Sequence, residues 1–208
     1  MIMVKAKDKG LNMDVSVNPK LPFKVVGDEI RIRQILINLL TNLFIGLSVG
    51  ANVLVANYYG ARQKRDVHET VHTAMTISAF CGIFLTVVGF FAAPLLLSLM
   101  QTPDDVIDLS VIYLRTYFFG MPAVMIYNFG SAILRATGDT KRALYILSAS
   151  GVINVAFNLI FVIVFHWGVF GVGLATVISQ VLSAVLIVIC LLKEKTDVRL
   201  EIRKLRIY

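Results

Sequence analysis

The hydrophobic positions of this chain fall into long runs that are separated by short charged segments. No charged side chain lies between Glu69 and Asp104, and none lies between Arg142 and Lys193. A helix that crosses a bilayer needs about 20 apolar residues, so the second of these runs is long enough for two such helices. The pattern therefore predicts an all-α membrane protein.

Five spans are predicted from these runs. The third contains Pro122, whose ring disrupts the helical hydrogen-bond ladder and is expected to kink the span. Trp167 lies in the tight turn between the last two spans and is expected to anchor that turn at the membrane surface. The predicted spans cover residues 43–59, 71–100, 106–134, 143–165 and 169–192, and a basic tail covers 193–208.

Residues 1–42 have a different pattern. Apolar residues alternate with polar ones over 11–17, which is typical of a half-buried strand, and 23–26 is a second short strand candidate. Asp28 is placed to cap a helix that follows. A β-β-α unit of this length cannot bury enough apolar surface to fold alone, so it is predicted to be a piece of a larger soluble domain.

The composition supports the membrane class. Hydrophobic residues make up 57% of the 208 residues and charged residues only 16%, whereas soluble domains carry about 25% charged residues. The net charge of +7 is explained by basic cytoplasmic loops, so the expected partner is the lipid bilayer and not nucleic acid. Cys81 and Cys190 lie inside predicted spans and are interpreted as small apolar residues.

Basic residues mark the cytoplasmic side of a membrane protein, and here they lie in alternate loops. The charged residues of the second loop are all acidic, so the first loop, the third loop and the tail are predicted to be cytoplasmic. Five spans then place residues 1–42 outside, although that segment carries seven basic residues. A first span absent from this chain would remove the conflict. The basic loop residues are Arg62, Lys64, Arg65, Arg135, Lys141 and Arg142.

Four segments resemble the multidrug and toxic compound extrusion (MATE) family. They are LFIGLSVGANVLVANYYGAR (43–62), YLRTYFFGMP (113–122), ILRATGDTKRAL (133–144) and GVGLATVISQ (171–180). The resemblance implies that 43–192 forms helices two to six of an amino-terminal lobe. It also implies efflux of small organic cations or drugs, driven by Na⁺ or H⁺ as the coupling ion, with two lobes that rock around a central cavity.

A second resemblance concerns residues 27–42, which are similar to the N-box helix of sensor histidine kinases. That resemblance implies that Asn42 is the Mg²⁺-ligating asparagine. The glycine-rich stretches that would close over a nucleotide do not follow, so ATP binding is not predicted. We interpret the chain as a kinase-like fragment that is joined near residue 42 to a partial transporter lobe.

Asn154 and Asn158 are four residues apart and therefore share one helix face, which should point into the bundle because amides are costly in hydrocarbon. By resemblance, these asparagines line the cation and proton site of the lobe together with Thr176, and Gln180 follows on the same predicted helix. Asn158 stands where many relatives have an aspartate and cannot titrate. The alternative is that the pair only joins helices by hydrogen bonds.

Other residues have predicted structural roles. Gly46 and Gly50 form a GxxxG pair that is expected to allow close helix packing within the lobe. Arg115 lies inside the third predicted span, where it is expected to extend toward the surface with Asp108 as a partner, the alternative being a substrate role. The pair formed by His68 and His72 is interpreted as the solvated start of a helix and not as a metal site, because no third ligand is near.

No carboxylate lies deep inside a predicted span, since Asp108 is at the start of the third, and cation coupling requires such a group in the membrane. The resemblance implies that the family holds such groups on its first helix and in its second lobe. We therefore expect a partial transporter of the cytoplasmic (inner) membrane that is inactive without the missing second lobe. No catalytic arrangement is present, so an enzyme is not predicted, and neither is a cofactor. The alternatives are a membrane-anchored signalling protein related to sensor kinases and a non-functional chimeric reading frame.

Overall fold

The computed structural model describes residues 46–99 and 103–208, and within these ranges every regular element is a helix. The predicted β-β-α fragment and the predicted boundary near residue 42 lie outside the described residues. The helices are α1 (46–60), α2 (Lys64–Leu99), α3 (Asp104–Phe119), α4 (Met121–Ala136), α5 (Thr140–Leu159), a π-helical turn (Ile160–Val164), α6 (Gly168–Lys193) and a short 3-10 helix (Ile202–Lys204).

The described helices give three or four candidate membrane spans instead of the predicted five. Helix α2, helix α5 with its π-helical turn, and helix α6 are each long and apolar enough to cross a bilayer. Helices α3 and α4 count as a fourth span if the bent pair is taken as one. The described part of α1 is shorter than the about 20 residues that a span requires, so the count of five is not confirmed.

The bend near Pro122 is a break between two helices. Helix α3 ends at Phe119, and α4 starts at Met121 at an angle of 42°. Pro122 lies in the first turn of α4, where its missing N–H would have had no helical partner in any case. The N–H of Gly120 closes the last turn of α3 by donating to the carbonyl of Tyr117 at 3.0 Å.

Helix α6 is the centre of the bundle and contacts α3, α4 and α5, while α2 packs on α3 and α4. Small residues make these contacts close: a Cβ atom added at Gly130 would lie 2.9 Å from Ile187, and one added at Gly173 would lie 3.0 Å from Thr116. The outer surface is apolar, and the ring of Phe91, for example, is 75% exposed. Such a surface suits lipid, and close backbone approach supplies the packing that a water-free environment needs.

The basic ends of several helices meet at one end of the bundle. Asp139 caps α5 by accepting a hydrogen bond from the backbone N–H of Arg142 at 3.0 Å, and this bond holds the pKa of the carboxyl below its usual 3.8. Because the pKa of Asp139 is lowered on folding, the cap stabilises the protein at neutral pH, and this stabilisation is lost as the pH falls below 3.8 and through the lowered pKa.

Two ion pairs lie at the same end of the bundle. Arg142 pairs with Glu194 at 2.8 Å, and Lys64 lies 3.6 Å from Asp197.

Residues 194–208, here called the tail strap, fold back onto the start of α2. Val198 and Leu200 are buried, and the N–H of Leu200 donates to the carbonyl of Leu191 at 3.0 Å. The N–H of Glu201 donates to Nε2 of His72 at 3.0 Å, and the N–H of Tyr208 donates to Oγ1 of Thr73 at 3.1 Å. The strap is therefore fixed to the helix by backbone donors as well as by apolar contacts.

The ring of His72 is fully buried, so the interpretation of this residue as part of a solvated helix start is wrong. Its Nε2 accepts the hydrogen bond from Glu201, and its Nδ1 lies 2.7 Å from the carbonyl oxygen of His68. Both contacts are satisfied together only by the neutral ring that carries its proton on Nδ1. The distant strap, which local sequence does not reveal, is what buries the ring.

The close packing of α2 on α4 predicts that replacing a packed glycine and replacing an exposed glycine change the free energy of unfolding in opposite directions. A Cβ atom at Gly82 would lie 2.4 Å from the backbone Cα of Pro122, so we expect Gly82→Ala to lower the free energy of unfolding by about 1–3 kcal/mol. Gly151 on α5 has no described atom within 4 Å of such a Cβ, so Gly151→Ala should gain roughly 0.5–1 kcal/mol of helix stability. Unfolding in mixed detergent micelles measures both, and equal effects would contradict the described packing.

The contact between His72 and the strap predicts that His72→Phe releases residues 194–208. The N–H of Glu201 is partly buried and would lose its acceptor, at a cost of about 0.5–1.5 kcal/mol. We expect trypsin to cut faster at Lys195 and Arg199, as followed by mass spectrometry of the fragments. Thr76→Val is the matched control, because Thr76 bonds to the carbonyl of His72 in its own helix. Unchanged cleavage in His72→Phe would show that this hydrogen bond does not hold the strap.

Candidate functional site

A chain of polar side chains joins α5 to α6 and contains three of the predicted site residues. Nδ2 of Asn158 donates to Oδ1 of Asn154 at 3.0 Å. Nδ2 of Asn154 in turn reaches Oγ1 of Thr176 at 3.5 Å and Oγ of Ser179 at 3.3 Å. Ser179 was missed by the sequence analysis, although it lies three residues after Thr176 and so on the same helix face.

The direction of the hydrogen bonds follows from the helix backbone. The hydroxyl of Thr176 donates to the carbonyl of Val172 at 3.0 Å, and the hydroxyl of Ser179 donates to the carbonyl of Thr176 at 2.8 Å. Because each hydroxyl proton is used within α6, only the oxygen lone pairs remain to face α5. Asn154 can therefore contribute its amide N–H groups to both, and this leaves its own oxygen free to accept from Asn158.

The chain of donors ends at an oxygen without a partner. Oδ1 of Asn158 is buried and has no hydrogen-bond donor among the described residues. The π-helical turn Ile160–Val164 begins two residues later, and π-helical turns inside α-helices occur often at functional sites. A buried amide oxygen in this state can accept a hydrogen bond or ligate a cation.

Gln180 lies at a different place from the asparagine pair. Its Oε1 is buried without a donor in the described part of the chain, and a Cβ atom at Gly120 would lie 2.2 Å from this oxygen. Gln180 therefore packs against the break between α3 and α4. It shares α6 with Thr176, but no hydrogen bond within the described ranges connects it to Asn154 or Asn158.

The chemistry available to this cluster is that of neutral oxygen donors. Amide and hydroxyl oxygens are hard ligands that suit alkali and alkaline-earth cations, and they do not take up a proton near neutral pH. Across residues 46–99 and 103–208, no group of three or more His, Cys, Asp or Glu side chains is placed to hold a metal ion. The arrangement is compatible both with a weak cation site and with hydrogen bonds that only join two helices.

Arg115 connects α3 to α2 and does not pair with Asp108. Its Nε lies 3.3 Å from the carbonyl oxygen of Phe90, and its guanidinium carbon lies 4.7 Å from the centre of the Phe90 ring. No ion pair with Asp108 occurs among the described residues, and Arg115 contacts Phe90 where the sequence predicted Asp108. The backbone carbonyl and the aromatic face supply the favourable electrostatic contacts that a carboxylate would have given.

The glycine pair on α1 does not make the close approach that was predicted, at least within the described residues. A Cβ atom at Gly46 or Gly50 would meet no described atom within 4 Å. Both glycines line an open cavity of about 760 Å³ between α1 and α2. The attachment of α1 depends instead on Asn52, whose Nδ2 donates to the carbonyl of Ala132 on α4 at 2.7 Å, and sequence reasoning did not identify this residue.

Comparison with known families gives a match to the family described as MatE, over residues 32–160. The match includes α1 to α5 and overlaps the segment 27–42 that resembles the N-box helix. The signalling alternative is not favoured by this finding.

Among curated proteins, the chain is similar to a probable multidrug resistance protein, YoeA, of Bacillus subtilis strain 168. The two are 34% identical over 161 residues, which is 76% of this chain and 35% of the relative. The chain thus spans about a third of the length of the curated relatives that it matches.

Among solved structures, the chain is similar to two conformations of a multidrug resistance MATE family transporter of the MOP superfamily. The inward-facing structure gives a TM-score of 0.74 at 27% identity, covering 79% of this chain and 38% of the other. The outward-facing structure gives a TM-score of 0.76 at 25% identity, covering 86% of this chain and 40% of the other.

The hydrogen bonds between α5 and α6 predict a measurable coupling between Asn154 and Ser179. In a double-mutant cycle with Asn154→Ala and Ser179→Ala, we expect about 0.6 kcal/mol of coupling in the free energy of unfolding, the average for such bonds in membrane proteins. The matched cycle replaces Ser179→Ala with Ser150→Ala, since Ser150 bonds to Ile146 of its own helix. Strict additivity in the first cycle would show that the amide does not join the two helices.

Proposed function

The chain belongs to the MatE family of membrane transporters, and we propose that its helices form part of one lobe of a cation-coupled efflux antiporter. Members of this family are transporters and not enzymes. The proposed cargo is small organic cations, including drugs, and the proposed driving ion is Na⁺ or H⁺. The likeness to probable multidrug resistance proteins supports this cargo class.

The observation that carries the proposal is the similarity of the described helices to solved structures in two transport states. The TM-scores to the inward-facing and outward-facing structures are 0.74 and 0.76, so the helices resemble parts of both. In alternating access, each lobe moves largely as a rigid body while the opening between the lobes changes sides. A lobe that retains its internal packing in both states is what this mechanism requires.

Within the lobe, we assign the cluster of Asn154, Asn158 and Thr176 to the cation pathway, with Gln180 at its margin by the α3–α4 break. The unpaired oxygens of Asn158 and Gln180 support this assignment, because a cation gives such buried acceptors a partner. Neutral oxygens favour Na⁺ over H⁺ at this position. Proton coupling would need a carboxylate from outside the described residues.

The proposed partner is a second lobe. In this mechanism a central cavity that opens alternately to each side is formed between two lobes. The described helices are proposed to form part of one of them, which the partial coverage of the solved structure supports. We therefore propose that these 208 residues alone do not transport. The proposed location is the cytoplasmic membrane, with the end that carries the contacts of Arg142 with Glu194 and of Lys64 with Asp197 facing the cytoplasm.

The proposal predicts that transport depends on a second lobe and on the asparagine pair. In a pump-deficient bacterial host, the chain alone should leave drug resistance at the level of the empty vector. Co-expression with the remaining part of the Bacillus subtilis relative should give Na⁺-dependent or H⁺-dependent resistance. Asn158→Leu should reduce that resistance toward the vector level, since it removes both the donor to Asn154 and the unpaired oxygen.

Ser150→Ala is the matched control, because Ser150 lies on the same helix and bonds within it. It should leave resistance unchanged, with membrane levels of all variants compared by immunoblotting. Cation-dependent resistance from the chain alone would contradict the need for a second lobe. Full resistance in Asn158→Leu would instead assign the pair to helix joining and remove it from the cation pathway.

A further inference from the structure

The tail strap and the start of α2 enclose a basic pocket of about 560 Å³ at the cytoplasmic end of the bundle. Four cationic side chains line it, and two carboxylates lie among them. The cationic residues are Arg65, Arg203, Lys204 and Arg206, and the carboxylates belong to Glu69 and Glu201. This pocket shares no residue with the asparagine cluster and has no role in the proposed transport.

The charges of the pocket do not balance. Arg65 pairs with Glu69 at 2.8 Å, and Lys204 pairs with Glu201 at 3.0 Å. Arg206 stacks on the ring of Tyr208 at 4.4 Å. Neither Arg206 nor Arg203 forms an ion pair with any carboxylate in the part of the chain that the structure describes. Two guanidinium groups therefore remain free for an anion, and the planar fork of arginine matches the oxygens of a phosphate group.

The position of these arginines is fixed by the strap and not by a flexible tail. The bond from Glu201 to His72 holds the strap before Arg203, and the bond from Tyr208 to Thr73 holds it after Arg206. A site that is held on both sides loses less conformational entropy when it binds a ligand.

Large apolar side chains alternate with the basic ones on the same segment and are exposed. Ile202 is 61% exposed and Ile207 is 63% exposed, and Leu205 also projects outward. A free phosphate ion makes no favourable contact with such side chains. A lipid does make one, because segments that combine exposed apolar and basic residues lie at the membrane surface. Their apolar groups lie among the acyl chains and their basic groups lie at the headgroups.

We propose that the strap and the start of α2 bind the headgroup of an anionic phospholipid. Arg203 and Arg206 hold the phosphodiester, while Ile202, Leu205 and Ile207 contact the adjoining acyl region. The site goes beyond the proposed transport function, and it depends on the proposed orientation only for the leaflet that supplies the lipid.

The test uses the full 208-residue chain in a neutral detergent and native mass spectrometry with added lipid. We expect dioleoyl phosphatidylglycerol to bind more tightly than dioleoyl phosphatidylcholine, with no displacement by an excess of inorganic phosphate. The double variant R203Q/R206Q should weaken binding of phosphatidylglycerol by roughly 25-fold, because each basic residue at an anionic surface contributes about fivefold. The variant R203K/R206K keeps both charges but loses the planar fork, so its affinity should lie between those of the original chain and R203Q/R206Q.

The matched control is K195Q/R199Q, which removes two positive charges from the same strap outside the pocket. It should leave the affinity for phosphatidylglycerol within about twofold of the original chain. An equal loss in this control would assign the effect to net charge and overturn the site. The proposed site would also be overturned if the unaltered chain bound the two lipids equally, or if inorganic phosphate displaced phosphatidylglycerol. Both of these measurements use the unaltered chain, so they do not depend on how any variant folds.

Discussion

The close approach of α6 to its neighbours is the contact on which the rest of the described bundle depends. Glycines at this centre remove the side chains that would separate the helices, and Gly173 and Gly130 each leave room for a side chain of a neighbouring helix. In lipid, the hydrophobic effect does not drive one apolar helix onto another, so packing at short distance has to supply the attraction. Helices α3, α4 and α5 are positioned by this one contact surface, and α2 is then placed by α3 and α4.

The second constraint is that buried polar groups in the bundle need hydrogen-bond partners. Most hydroxyls satisfy it locally by bonding to carbonyls of their own helix, as Ser150 and Ser183 do. The asparagines cannot satisfy all their groups in this way. Asn154 bonds across helices, and Oδ1 of Asn158 is buried with no donor among the described residues. A buried acceptor without a donor is costly, and it is tolerated more easily where a ligand supplies the partner. This is the physical basis of our proposal that a cation pathway runs between α5 and α6.

The two ends of the described bundle differ in how they are joined. At the basic end, the strap and the ion pairs of Arg142 and Lys64 connect α2, α5 and α6. Along the membrane-facing surface, exposed apolar side chains meet lipid and need no protein partner. Charged contacts at one end and close packing within the membrane together hold the helices in one bundle, which is similar to both an inward-facing and an outward-facing transporter.

The membrane class, the helical nature of the described residues and the shared face of Asn154 and Asn158 could be predicted from the sequence alone, because apolar runs and helical spacing are local properties. The number of spans and the break between α3 and α4 could not. Which helix faces meet is known from the tertiary structure and not from the sequence. In the structure, Ser179 bonds to Asn154, and Arg115 contacts the carbonyl of Phe90 and not Asp108. His72 is buried by the strap, where its partner Glu201 lies 129 positions further along the chain. The periodicity of one helix tells which side is polar but not which helix that side will face, since that depends on packing across the whole bundle.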